Sequence, residues 1–216
     1  ITRLIYYSTS EVYGPAKYVP MDEQHPTHPH STYAVSKLAA DKLCYTMYHE
    51  HSVPVIILRQ FNTYGPRENQ PYVIPEIITQ LSKANVARLG NIKAKRDFTY
   101  VEDAVKGAIS LIECKEAEGE VMNLGSNKTY SIEEIVQIIA ELEELDSFDV
   151  IIERKRLRRL DVEILQCDYS KAHKLIGWEP RVDLKEGLMR TVEWFKEHGC
   201  KWTWEDKIVS ENERWG

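Results

Sequence analysis

The chain has 216 residues, of which 43% are hydrophobic, and its formal net charge is −6. This length suits one large domain or two small ones, and the negative charge gives no general affinity for nucleic acid or anionic lipid. No apolar stretch approaches the roughly 20 residues that span a bilayer, and the four cysteines form no C-x-x-C pair. We therefore expect a cytoplasmic protein with reduced thiols, no membrane contact and no metal site.

The first predicted elements form a strand–helix–strand unit. Leu4–Tyr7 is a short apolar run that favours a buried strand. A long helix is predicted over residues 32–50, followed by a strand over residues 53–59. Because the second strand shows little alternation of polar and apolar residues, it fits a parallel sheet that is covered on both faces. Residues 62–66 are predicted to form a loop at the carboxyl end of this strand, where open α/β sheets bind ligands.

The rest of the chain alternates between predicted helices and short strands. The helices are predicted over residues 73–83, 101–114, 131 onward, 169–176 and 184–196, and the short strands or turns over residues 87–90, 121–125 and 148–152. Ser131 and Glu134 form a capping-box pattern at the start of one of these helices. Residues 154–159 are a basic cluster in an otherwise acidic chain, and residues 199–216 receive no assigned structure.

Tyr33 and Lys37 lie four residues apart near the start of the long helix. That spacing places both side chains on one face, about 6 Å apart along the axis. An ammonium group beside a phenol favours the phenolate, so we expect Lys37 to lower the pKa of Tyr33 from about 10. Tyr33 could then exchange a proton near neutral pH. The spacing alone is common by chance, so its meaning depends on the surrounding motifs.

Seven motifs follow one another in order along the chain. They occupy residues 8–14 (STSEVYG), 33–37 (YAVSK), 59–67 (RQFNTYGPR), 96–103 (RDFTYVED), 123–126 (NLGS), 167–172 (CDYSKA) and 175–180 (LIGWEP). Read together, they resemble the extended short-chain dehydrogenase/reductase family, and within it the nucleotide-sugar epimerases, dehydratases and decarboxylases. The resemblance extends from Leu4 to about Phe195.

This resemblance implies an α/β fold, namely the C-terminal part of a Rossmann-type doubly wound parallel sheet plus a small α/β substrate-binding domain. Residues 1–63 and 97–125 would belong to the NAD-binding part, residues 64–96 and 126–198 to the substrate part, and residues 199–216 to a tail. The chain lacks the glycine-rich turn that approaches the pyrophosphate of a dinucleotide. We therefore expect it to be the later part of such a protein, and the family resemblance implies a homodimer.

The resemblance also implies roles for individual residues. The implied catalytic residues are Thr9, Ser10, Glu11, Tyr33 and Lys37. The implied cofactor is NAD, contacted by Ser8, Tyr33, Lys37 and Phe61. The implied partner is a nucleotide-diphosphate sugar, bound by Asn62, Arg67, Val73, Leu89, Arg96, Arg156 and Arg158. Arginine suits this task because a guanidinium group pairs with two phosphate oxygens at once.

The loop Thr9-Ser10-Glu11 resembles that of GDP-mannose 4,6-dehydratases, and the later motifs are most similar to dehydratases of legionaminic-acid-type pathways. The implied reaction oxidises the sugar at C4, removes the C5 proton through Glu11, expels the C6 hydroxyl as water and returns hydride to C6. Other dehydratases carry aspartic acid where this chain has Ser10, so either Glu11 performs both proton steps or a water molecule helps. A 4-epimerase, a UDP-glucuronate decarboxylase and an inactive fragment stay open as alternatives.

Overall fold

The computed structural model describes residues 2–69 and 72–199, and these form alternating strands and helices. The strands are β1 (Leu4–Tyr7), β2 (Val55–Gln60), β3 (Asn62–Tyr64), β4 (Val86–Leu89), β5 (Lys95–Tyr100), β6 (Val121–Leu124), β7 (Thr129–Ser131) and β8 (Asp149–Ile152). The helices are α1 (Thr32–His51), α2 (Val73–Ala84), α3 (Val101–Glu113), α4 (Ile132–Leu142), α5 (Ser170–Ile176) and α6 (Leu184–His198). The predicted α/β class is confirmed, and each predicted helix is present.

The first sheet is parallel, with the strand order β1-β2-β6. Its central strand is buried, and Ile56 and Leu58 pack with Met122 and Leu124 in one apolar core. Helix α1 packs against β2 and helix α3 contacts β1 and β2. The carboxyl ends of all three strands therefore meet at one edge, as the sequence predicts for a ligand-binding sheet.

A second core forms around α2, α4 and α6. It includes Ile74, Ile135 and Leu188, which are each 0% exposed. The predicted capping box at the start of α4 is confirmed: Ser131 Oγ accepts a hydrogen bond from Glu134 N at 3.2 Å, and Glu134 Oε2 accepts one from Ser131 N at 2.7 Å. None of the helices among the described residues is long and apolar enough to cross a membrane.

The predicted loop over residues 62–66 is wrong for its first three residues. Asn62–Tyr64 is strand β3, which pairs in parallel with β5, and β5 pairs in the antiparallel direction with β7. Neither β5 nor β7 is predicted from the sequence. These short strands obtain their hydrogen bonds from partners roughly thirty residues away or more, so the local residue pattern carries little information about them.

Packing also crosses the predicted division into two parts. Ala172 and Trp178, which the sequence assigns to the substrate part, lie in the core of the first sheet. Phe98 and Tyr100, assigned to the NAD-binding part, lie in the second core. The division therefore stays a proposal. The predicted tail, residues 199–216, lies outside the described residues apart from Gly199.

Gly14 gives the first testable prediction. It follows the short helical turn Ser10–Tyr13 with φ of +66°, and a Cβ added there would lie 1.9 Å from the backbone oxygen of His28. We expect Gly14→Ala to lower the free energy of unfolding in urea by about 2–4 kcal/mol. The control is Gly177→Ala, because Gly177 has φ of +65° and no atom within 4 Å of an added Cβ. Equal losses in the two variants would contradict the predicted clash.

Candidate active site

A short turn after β1 carries the first group of predicted site residues. Thr9 precedes the turn Ser10–Tyr13, and its Oγ1 accepts a hydrogen bond from Glu11 N at 3.3 Å. This bond caps the turn and fixes Thr9 relative to Glu11. The turn lies at the carboxyl end of β1, beside helix α1.

Helix α1 brings Tyr33 to this turn. The helix begins where Ser31 Oγ accepts a hydrogen bond from Ala34 N at 3.0 Å, which places Tyr33 in its first turn. The Thr9 hydroxyl lies close enough to the Tyr33 phenol to lower the pKa of that phenol, and the charge of Glu11 acts on the same phenol. The structure therefore brings together Thr9, Glu11 and Tyr33, three of the five predicted catalytic residues.

The predicted effect of Lys37 on Tyr33 is wrong in this structure. Partial burial raises the pKa of Tyr33, the nearby Thr9 hydroxyl opposes that shift, and the charge of Glu11 adds to it. Lys37 is engaged elsewhere: its Nζ donates to the backbone oxygen of Tyr7 at 2.6 Å and lies 5.1 Å from the centroid of the Tyr6 ring. The ammonium group thus lies at the carboxyl end of β1.

The serines on either side of Thr9 are mostly buried, as is Thr9 itself. Ser8 is 6% exposed, and its Oγ donates to Asp41 Oδ2 at 3.0 Å. Ser10 is 3% exposed. The Ser8 hydroxyl is thus engaged with Asp41, and the NAD contact of Ser8 and the catalytic role of Ser10 stay predictions.

The charge of Glu11 acts both on Tyr33 and on Arg96, an arginine whose side chain is 11% exposed. Burial lowers the pKa of Arg96, and the negative charges of Glu11 and Asp161 oppose that shift. Arg96 Nη2 lies 3.3 Å from Asp161 Oδ1, and Asp161 Oδ2 accepts a hydrogen bond from Asn91 Nδ2 at 2.8 Å. Asp161 is a site residue that the sequence analysis missed. In the sequence, Asp161 is marked only by its position as the first carboxylate after the basic cluster at residues 154–159.

The two arginines predicted from the basic cluster differ in their surroundings. Arg156 Nη1 lies 2.5 Å from Glu76 Oε1, and its Nε lies 2.8 Å from Glu153 Oε2. Because two carboxylates already neutralise Arg156, the structure does not support it as a diphosphate ligand. Arg158 is exposed, and its charge reaches Arg96. Arg158 is therefore the better candidate of the two.

Two predicted substrate contacts belong to the second core instead. Leu89 is 3% exposed and lies inside that core, and Val73 packs against it from the first turn of α2. A contact between substrate and the Leu89 side chain is therefore excluded in this conformation, because core atoms surround that side chain. The expectation for Leu89 could hold only for its backbone.

The remaining residues predicted to contact cofactor or substrate follow the end of β2. Gln60 Oε1 and Asn62 Oδ1 are buried and have no hydrogen-bond partner within residues 2–69 and 72–199. Buried acceptors without a partner are costly and favour a ligand that can donate a hydrogen bond. Phe61, between them, is 1% exposed, so only its backbone could contact a cofactor. Arg67 is exposed, with φ of +69°.

Glu68, which follows Arg67, gives a prediction about pH. Burial raises the pKa of Glu68 from 4.5 to about 8, a hydrogen bond with the Gly65 backbone opposes that shift, and Oε2 has no partner among the described residues. Because the folded chain then binds more protons than the unfolded chain, the free energy of unfolding falls as the pH rises from about 4.5 through about 8. The fall is on the order of a few kcal/mol.

We expect Glu68→Gln to remove most of this fall and to raise the stability at the upper end of the range. Urea unfolding at several pH values measures it. Glu113→Gln, which changes an exposed glutamate, is the control and should leave the pH dependence as it is. An unchanged slope in Glu68→Gln would contradict the account of this carboxyl group.

Comparison with known proteins shows that the chain is similar to enzymes named for their nucleotide-sugar substrates. A family model described as GDP-mannose 4,6 dehydratase matches residues 1–191. The chain is 31% identical over 207 residues to the human dTDP-D-glucose 4,6-dehydratase, covering 94% of this chain and 59% of that protein. It is 32% identical over 200 residues to a UDP-glucuronate 4-epimerase of Thermodesulfobacterium geofontis, covering 92% of this chain and 60% of that protein.

A solved structure extends the similarity to three dimensions. The dTDP-glucose 4,6-dehydratase of Bacillus anthracis, in complex with NAD, superposes with a TM-score of 0.81 at 28% identity, covering 93% of this chain and 63% of that one. The present chain thus spans about 60% of the length of the curated relatives named above.

Proposed function

This chain belongs to the GDP-mannose 4,6-dehydratase family, and from that premise we propose that it acts in an NAD-dependent nucleotide-sugar 4,6-dehydratase. The family contains nucleotide-sugar dehydratases and epimerases, so the reaction itself must be argued from the site. The observation that carries the proposal is the contact between the Tyr33 phenol and Thr9, with the Glu11 carboxylate acting on the same phenol.

The residues at the carboxyl edge of the first sheet fit NAD. The Lys37 ammonium group lies beside the end of β1, and the unpartnered oxygens of Gln60 and Asn62 lie at the end of β2. The ammonium can donate to ribose hydroxyls, and the two oxygens can accept from hydroxyl or amide groups. When bound, NAD would supply the hydride acceptor and donor that the transfer from C4 to C6 of the sugar requires.

The protein's own groups would manage the protons. The nearby Thr9 hydroxyl lowers the pKa of the Tyr33 phenol, which favours the phenolate that would take the proton of the sugar 4-hydroxyl. A ketone at C4 acidifies the proton at C5, and Glu11 is the carboxylate that removes it. The C6 hydroxyl then leaves as water. Because a serine hydroxyl is a poor general acid, we assign both proton steps of the elimination to Glu11 rather than to Ser10.

The diphosphate would lie on the opposite side of Glu11. Arg96 and Arg158 supply positive charge there, and Asp161 holds Arg96 in place. Guanidinium groups pair with phosphate oxygens through charge-assisted hydrogen bonds. Asn62, with its unpartnered amide oxygen, is the proposed neutral ligand of the nucleotide sugar, and Arg67 is a candidate for a contact at the surface.

Product mass tests this function. The chain is incubated with NAD and, separately, with UDP-, GDP- and dTDP-linked hexoses, and each product is weighed by mass spectrometry. A 4,6-dehydratase lowers the mass by one water. An unchanged mass with altered chromatographic mobility would indicate an epimerase, and loss of carbon dioxide from UDP-glucuronate would indicate a decarboxylase. Either outcome would overturn the proposed reaction.

Self-association is part of the same proposal. Helix α1 exposes apolar side chains that would be costly to leave in water, among them Val35, Leu43 and Tyr45 at 53%, 61% and 46% exposure. A second copy of the chain could cover them in a homodimer. Sedimentation of a monomer at micromolar concentration would rule this out.

A further inference from the structure

A buried ion pair lies behind the proposed active site. Arg59 of β2 donates from Nε to Asp41 Oδ2 at 2.9 Å and from Nη2 to Asp41 Oδ1 at 3.1 Å. The two side chains are 3% and 0% exposed. Burying two charges gives little net stability compared with apolar residues of the same size. We therefore looked for a role of the Arg59–Asp41 pair other than stabilising the fold.

One end of the active-site turn is attached to this ion pair through Asp41. Ser8 Oγ donates to Asp41 Oδ2 at 3.0 Å, immediately before Thr9. Asp41 lies on α1, the helix that carries Tyr33. The same carboxylate thus ties the start of the turn to the helix that bears the phenol.

The other end of the turn is attached through Tyr13. Arg59 Cζ lies 4.9 Å from the centroid of the Tyr13 ring, a distance at which a guanidinium group is attracted to the ring face. The Tyr13 hydroxyl donates to Asn123 Oδ1 at 2.7 Å, and Tyr13 is 0% exposed. Arg59 therefore contacts the groups that hold both ends of residues 8–13.

We propose that Asp41, through Ser8, and Tyr13, held by Arg59 and by its hydroxyl bond to Asn123, are positioning residues that clamp the turn so that Thr9 and Glu11 keep their alignment with Tyr33. The catalytic part of this inference rests on the proposed function. The clamp itself is a statement about the turn and can be tested without turnover. Loss of alignment should lower the rate of the chemical step more than it weakens substrate binding.

The decisive variant is Tyr13→Phe, because breaking the ion pair itself risks unfolding the chain. This change removes one hydroxyl and leaves the ring against Arg59. The matched control is Tyr64→Phe, since Tyr64 is 1% exposed and its hydroxyl donates to the backbone oxygen of Leu184 at 3.2 Å, in the second core. Both variants lose one buried hydrogen bond, but only Tyr13 holds the turn.

Amide hydrogen exchange is the first measurement. Val12 N donates to Thr9 O at 3.3 Å and Gly14 N donates to Glu11 O at 3.2 Å, so these two amides report on the turn. We expect Tyr13→Phe to speed their exchange by about tenfold relative to amides of α4, and Tyr64→Phe to leave them unchanged. If the Val12 and Gly14 amides exchange at the same rate in the parent chain and in both variants, the proposed clamp does not exist.

Steady-state kinetics is the second measurement. We expect Tyr13→Phe to lower kcat by about tenfold with KM changed by less than about twofold, while Tyr64→Phe keeps both near the parent values. An active parent chain with an unchanged kcat in Tyr13→Phe would overturn the positioning role. If the parent chain turns over no nucleotide sugar, the proposed function fails, and the exchange result still decides whether the clamp exists.

Discussion

Tyr33→Phe should abolish measurable turnover, with a loss in kcat of about 10²–10⁴-fold. The phenol oxygen is the group that would take the proton from the sugar hydroxyl, and phenylalanine removes that oxygen while keeping the ring. Because burial raises the pKa of Tyr33, only a minority of the parent chain holds the phenolate at neutral pH. We therefore also expect kcat/KM of the parent chain to rise with pH through the alkaline range.

The control for this prediction lies on the same helix. Tyr45→Phe makes the same chemical change at a residue with the same 46% exposure as Tyr33, but Tyr45 packs beside His49 rather than at the turn. It should keep kcat and KM near the parent values. A Tyr33→Phe variant that retained more than about a tenth of the parent kcat would argue against proton transfer by this phenol.

Glu11→Gln should produce the second large effect, a loss of dehydration of about 10²–10⁴-fold. Glutamine keeps the size of the side chain but cannot accept the C5 proton. The reaction in deuterium oxide measures this step directly, because removal and return of that proton place solvent deuterium at C5. Nuclear magnetic resonance of the recovered sugar should show deuterium at C5 with the parent chain and none with Glu11→Gln.

Glu11→Asp is the matched variant for the carboxylate. It keeps the acid but shortens the side chain by one methylene group, so we expect a slower reaction that still labels C5. Labelling of C5 by Glu11→Gln at the parent rate would assign the elimination to another group.

The sequence predicted the long elements well and the short ones poorly. Helix α4 was predictable because its cap, Ser131, is a local signal that the structure confirms through a side-chain hydrogen bond. Strands β3 and β5 were not predictable, because their pairing joins Asn62 to Phe98, which are far apart in the sequence. Nothing near Asn62 in the sequence records that contact.

Some features of the candidate site could likewise be predicted from the sequence, and others could not. The family resemblance implied a shared site for Thr9 and Tyr33, and in the structure the Thr9 hydroxyl lies close enough to the Tyr33 phenol to lower its pKa. The direction of the Tyr33 pKa shift could not be predicted from spacing, because it depends on burial and on where the flexible Lys37 side chain finds its acceptor. Asp161 and Asp41 act through ion pairs with residues that are distant in the sequence.

Isotope tracing tests the central claim, which is dehydration with transfer of the C4 hydrogen to C6, most directly. The chain is given NAD and a nucleotide hexose that carries deuterium only at C4, and the product is analysed by nuclear magnetic resonance. We predict a 4-keto-6-deoxy sugar with the deuterium at C6. Recovery of the deuterium at C4 of an inverted sugar would contradict the account, because it would show that the site epimerises its substrate and eliminates no water.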